Sequence, residues 1–185
     1  MGLLGLFSRK RHERAGFSLY TTAVRAARDP YYYAELDVPD TMDGRFDMIG
    51  LYTFLLIDRI HRERDAGKAL AQAVFDAMFL DMDGTLRELG VSDITVGRNV
   101  KAMWEALNGR SRAYEAPLQA GDEAALEAAI GRNVWRGGPP AASAARLASI
   151  TMQQYRYLAE QTLDALIAGR VDFLEPATMA AQVPA

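Results

Sequence analysis

Phe79-Leu80-Asp81-Met82-Asp83-Gly84-Thr85-Leu86-Arg87-Glu88-Leu89-Gly90-Val91-Ser92-Asp93 supports two incompatible readings. As an isolated string, an apolar pair followed by Asp-x-Asp-Gly-Thr-Leu suits a loop at the end of a buried strand. Two cooperating carboxylates there would hold a magnesium ion and a phosphate. With its neighbours, the same string is the second half of a long amphipathic helix and the loop that ends it. The first reading requires an α/β fold, the second an all-α one.

The upstream residues decide between them. Leu70, Val74, Met78, Met82 and Leu89 form one stripe, widened by Phe75 and Leu86, with helical rather than alternating spacing. A helix is therefore expected from Lys68 to about Leu89, closed by Gly90 in the left-handed conformation. Residues two apart on a helix are separated by about 200°. Asp81 and Asp83 then face opposite sides and cannot share a metal. Asp83 and Arg87, four apart with the acid first, can pair. Gly84 marks either a kink or a close helix crossing.

The string does resemble the nucleophile motif of haloacid-dehalogenase-like phosphatases, with Asp81 as nucleophile and Asp83 as acid. Nothing around it completes such a site. There is no βαβ alternation, no downstream acidic pair, and no strand followed by Lys, Ser or Thr to hold phosphate. A calcium loop starting at Asp81 fails as well: Leu86 stands where glycine is required and Ser92 where glutamate is.

Composition agrees with the helix. The 185 residues are 50% hydrophobic, enough for one domain with a sizeable core. Ala, Leu, Met, Glu and Arg dominate, as in an all-helical protein. A net charge of −3 gives no strong field for nucleic acid, and none is expected as partner. The absence of cysteine excludes disulfides, thiolate catalysis and Cys-based metal sites, and two histidines do not make a His-rich metal centre. No cofactor is expected. The longest apolar run, from Met48 to Ile57, is about half of the ~20 residues a membrane span needs. Leu3, Leu4, Leu6 and Phe7 precede Arg9, Lys10, Arg11 and Arg14, the reverse of the export-signal order. Leu6 breaks the myristoylation pattern. The expected location is cytoplasmic, with residues 3–14 either a frayed terminus or a peripheral contact to the inner face of the membrane.

The rest of the chain divides into a basic and apolar tail over 1–16, a helical domain over 17–174 and a second tail over 175–185. A first helix from Ser18 to Arg28 stops at Asp29-Pro30, and Tyr31, Tyr32 and Tyr33 seal the connector that follows. The second helix, from about Asp40 to Arg64, is apolar nearly all round and belongs at the centre of a bundle. A fourth helix opens at Ser92-Asp93 and ends near Asn108-Gly109. A short segment from Arg110 to Ala116 is then broken by Pro117. Asp122 caps a helix reaching Trp135, and Gly137-Gly138-Pro139-Pro140 forms a mobile connector near 136–140. A last Ala-rich helix runs from about Ala141 to Ala168. The sum is a single-domain bundle of about six to seven helices with a largely buried second helix.

Several spaced motifs together narrow the function. Val38-Pro39-Asp40-Thr41, Gly44-Arg45-Phe46-Asp47, Phe75-Asp76-Ala77-Met78-Phe79 with Asp81-Met82-Asp83, and Leu86-Arg87-Glu88-Leu89-Gly90-Val91 follow one another in order. Val96, Val100-Lys101-Ala102-Met103 and Gly109-Arg110 through Ala113-Tyr114 continue the pattern. Over roughly Tyr20 to Trp135 the chain resembles the ubiquinol–cytochrome c chaperone family. The resemblance implies a bacterial, all-α, non-catalytic chaperone that binds newly made cytochrome b during assembly of the cytochrome bc1 complex. Mitochondrial relatives work with a second small assembly factor and dock near the ribosomal exit. Many members carry His where Tyr52 stands, so no imidazole role transfers. The residues this points to as a partner surface are Arg45, Phe46, Asp76, Phe79, Asp81, Met82, Asp83, Arg87, Glu88, Asp93 and Arg110. Arg45 and Arg110 are the candidate anchors for the carboxylates. A helical interaction module for another membrane complex is the alternative non-enzymatic reading.

Overall fold

The computed structural model describes residues 3–140 and 142–180, without the side chains of 3–9, 93, 94 and 180. Nine helical segments, and no strand, are found among the described residues. Six are long: α1 (Leu3–Ala27), α3 (Met42–His61), α4 (Asp65–Glu88), α5 (Asp93–Ala120), α6 (Glu123–Val134) and α7 (Ser143–Glu160). Three are five-residue turns: α2 (Pro30–Ala34), α8 (Leu163–Ile167) and α9 (Pro176–Ala180).

The apolar helix expected at the centre is there. α3 starts at Thr41, whose hydroxyl accepts from Gly44 N at 3.1 Å. Met48, Leu51, Tyr52, Leu55, Leu56 and Ile60 are buried along it. It packs against α1, α4, α5, α6 and α7. Arg59, buried near its end, donates to Leu158 O at 3.0 Å and Gln161 O at 2.5 Å. A guanidinium thus closes the C-terminal carbonyls of α7, where the helix dipole favours positive charge.

α1 begins at Leu3 rather than Ser18, because no breaker interrupts the chain before Asp29-Pro30. The stretch expected as a tail is the first half of a helix lying on α4 and α3. The close crossing in the bundle is at Gly16. A Cβ there would stand 2.6 Å from the backbone carbon of Ala73 on α4, so only glycine lets the axes approach. Gly84, expected as a kink or crossing, has nothing within 4 Å of its Cβ position and lies inside unbroken helix.

Asp29 caps α2 through Tyr31 N at 2.9 Å, so the three tyrosines sit on a helical turn. Tyr32 is buried, with its hydroxyl hydrogen-bonded to that of Tyr52, while Tyr31 and Tyr33 are half-buried around it. Gln154 on α7 ties this pair to the C-terminal segment, donating to Tyr52 Oη at 3.3 Å and Leu174 O at 2.7 Å.

α4 ends as its sequence dictates. Gly90, at φ +80°, donates to Arg87 O at 2.9 Å, and Val91 donates to Leu86 O at 3.1 Å. α5 differs from expectation, running through Gly109 and Pro117 to Ala120. Pro117 lies in the last turn, where its missing N–H forfeits one backbone bond, and the stop is Gly121 in the left-handed region. The last helix is divided. Gln161 turns extended, and Thr162 restarts the chain as α8 by accepting from Ala165 N at 3.3 Å. Beyond it, within the expected tail, α9 places Met179 in the core.

Candidate functional site

The outer side of α4 gathers the exposed signature residues. Asp76, Leu80, Asp83 and Arg87 recur at helical spacing on one stripe. Leu80 is 74% exposed on this stripe. Asp83 Oδ2 accepts from Arg87 Nε at 2.6 Å, the acid-before-base pair expected from the spacing. Asp76 accepts from Gln72 Nε2 at 2.7 Å, and Glu88 is exposed in the last turn. Phe79 is half-buried against Phe75, with ring centroids 4.5 Å apart.

Asp81 turns the other way, as a helix requires. Its carboxylate accepts from Tyr20 Oη on α1 at 2.7 Å, and burial together with that carboxylate pushes the Tyr20 phenol well up. Asp81 thus ties two helices together. The whole Asp-Met-Asp-Gly-Thr-Leu string is helical, so the two-carboxylate loop of a phosphatase is not formed. No group of three His, Cys, Asp or Glu able to hold a metal occurs among the described residues.

Other expected site residues sit elsewhere. Met82 is buried in the core together with Met48 and Met78, whereas Met42 is exposed. Arg45 and Arg110 do not reach the α4 carboxylates. Arg45 grips Asp40 at 2.6 Å on the surface and lifts its stability as an anion, holding that carboxyl below its usual range. Arg110 stands 2.7 Å from Asp47 Oδ1, though off the hydrogen-bonding direction, with its guanidinium 5.7 Å from the Phe46 ring. Asp93 opens α5, and its side chain lies outside the described residues.

Asp47, part of the Gly44-Arg45-Phe46-Asp47 motif but not among the expected partner-surface residues, is the buried node. It is 3% exposed and takes a second guanidinium, Arg136 Nη1, at 2.6 Å. Burial pushes its carboxyl up, and Arg136 and Arg110 pull it back. Arg136 has a positive φ of 56° at the start of the Gly-Gly-Pro-Pro connector, and Trp135 Nε1 donates to Asp37 O at 2.8 Å beside it. The connector is therefore fastened to α3 at its first residues. A carboxylate directly before the longest apolar run of the chain, in a helix apolar nearly all round, is the available signal.

The profile of the family described as ubiquinol-cytochrome C chaperone matches residues 34–173, which take in α3, all of α4 and the Asp47 node. The chain belongs to that family. The crystal structure of the Cbp3 homolog from Brucella abortus is similar over 99% of this chain and 100% of its own, at 36% identity and a TM-score of 0.83. The frog protein named ubiquinol-cytochrome-c reductase complex assembly factor 1 (Xenopus laevis) is 22% identical over 120 residues, 65% of this chain. This chain spans 60% of that frog relative's length. Within the matched residues, the α4 stripe combines exposed apolar and charged side chains on one helix face.

Proposed function

We propose that the protein is a non-catalytic chaperone that binds newly made cytochrome b and assists its assembly into the cytochrome bc1 complex. The observation that carries this reading is the family match over residues 34–173, which includes the outward-facing signature of α4. A client made of transmembrane helices presents long apolar surfaces that end in charged loops. The α4 stripe has both counterparts: Leu80 with half-buried Phe79 and Phe75, and the Asp76, Asp83 and Arg87 groups beside them. Buried Met82 and Asp47, with Asp81 bonded to Tyr20 of α1, hold this helix and its neighbours in place.

No helix among the described residues is long and apolar enough to cross a membrane. Contact with the cytoplasmic face fits the exposed Lys10, Arg11 and Arg14 of α1, next to Phe17, which is 64% exposed. Basic side chains meet anionic headgroups and an exposed ring enters the interface. Deleting the gene in its own host and recording the membrane cytochrome spectrum tests the function. The expected result is loss of the bc1 haem b and c1 bands with other cytochromes retained. Normal bc1 content would overturn the proposal.

A further inference from the structure

α4 and α5 share little of the core where the loop between them joins them. Met82 is the last buried residue of α4, and Asp81 beside it is tied to Tyr20 of α1 at 2.7 Å. α5 rejoins the core through half-buried Met103 and buried Leu107, and a Cβ on Gly50 of α3 would meet Leu107 Cδ1 at 3.0 Å. Between these anchors the hairpin runs from Asp83 to Ala102. Among its described side chains only Val96 is buried, at 2% exposure. Val96 nevertheless lies outside the continuous core of the bundle, as do the half-buried Leu86 and Val100.

The two legs of this hairpin are also weak as helices. Gly84 and Gly97 lie inside α4 and α5 with nothing within 4 Å of the Cβ position, so no close approach calls for glycine at either place. A glycine inside a helix shifts the balance about fivefold against helix, relative to alanine. The polar pairs Asp83–Arg87 and Ser92–Thr95 join residues four and three apart, so each steadies one turn without holding a leg to the bundle. Gly90, at φ +80°, makes the bend between the legs. A segment with few buried apolar groups and low helix propensity opens before the rest of its fold.

We propose that residues 83–102 form an arm that opens as one unit by local unfolding while the bundle stays folded, uncovering Val96, Leu86 and Val100. Apolar surface is then offered transiently and not as a standing exposed patch, which would be an aggregation hazard. The arm does not rest on the assembly role, and its test is read on the isolated protein.

The chain has no cysteine, so one introduced thiol reports on its own surroundings. Val96→Cys is compared with Val74→Cys, at a fully buried position of the main core, for reaction of the full chain with a maleimide dye. The dye is kept dilute, so that the rate reads the open population. Val96→Cys should react at least about a hundredfold faster, and urea should accelerate it only weakly, because opening the arm exposes little surface. Val74→Cys should instead follow global unfolding and rise steeply with urea. Adding Gly84→Ala and Gly97→Ala should slow the Val96→Cys reaction about tenfold, since neither new methyl group meets a neighbour. Amide hydrogen exchange on the unsubstituted chain guards against an effect of the thiol itself: peptides across 84–102 should exchange together and well ahead of those across 48–60. Equal labelling of the two thiols, an equally steep urea dependence, no slowing by the two alanines, or equal amide protection of 84–102 and 48–60 would overturn the proposal.

Discussion

Asp47 joins α3, α5 and the start of the 135–142 connector through two guanidiniums, at 2.6 Å from Arg136 and 2.7 Å from Arg110. Removing one partner of a buried ionic cluster leaves the others desolvated and unmatched. Asp47→Asn is expected to destabilise the fold by about 3 kcal/mol in urea unfolding; a loss below about 1 kcal/mol would show that the node is solvated. Arg45→Ala is the counter-case. Its pair with Asp40 lies on the surface, so the unfolding midpoint should not move. The two arginines had looked equivalent in the sequence, as anchors for the α4 carboxylates. Sequence spacing reveals pairs within one helix, such as Asp83–Arg87, but the partner of Arg110 is set by how α3 and α5 cross. That crossing is tertiary, and no local periodicity encodes it.

At the scale of elements, the course of α4 follows from its own residues. The apolar stripe, the acid–base pair and the Gly90 cap are all local, and all three are present. The positions of close approach were not legible, because they depend on what lies opposite. Gly84 faces open space, whereas Gly16 faces the Ala73 backbone. Gly84→Ala is therefore expected to stabilise the protein by up to about 1 kcal/mol, through helix propensity. Gly16→Ala should cost about 2 kcal/mol or more by forcing α1 off α4. Equal effects in thermal or urea unfolding would contradict this packing. The break between α7 and α8 was missed for a local reason: the Thr162 cap is a single weak signal within an Ala- and Leu-rich run that favours helix throughout. Pro117 misled in the opposite direction, since a proline in a last turn forfeits only one bond.

The whole molecule is an all-α bundle whose centre holds several protonated phenols. Burial pushes Tyr20, Tyr32 and Tyr52 well up, and Tyr114 up to about 12. The unfolded chain releases these protons near pH 10 and the folded chain keeps them, so above pH 10 the unfolded state binds fewer protons. Stability contributed by these groups is complete below about pH 10. It should then fall by about 1.4 kcal/mol per pH unit for each tyrosine still held protonated. Tyrosinate absorbance should accordingly rise together with loss of helix signal in alkaline titration; ionisation of all tyrosines near pH 10 with helix retained would contradict the buried network. On the surface of this bundle we propose α4 as the client-binding helix. Its most direct test is photocrosslinking in cells from a benzoylphenylalanine placed at Leu80 or Asp83, with Glu127 on α6 as control. Cytochrome b should be recovered from both α4 positions and not from Glu127. Recovery from Glu127 alone, or from none of the three while the chain still supports bc1 assembly, would contradict it.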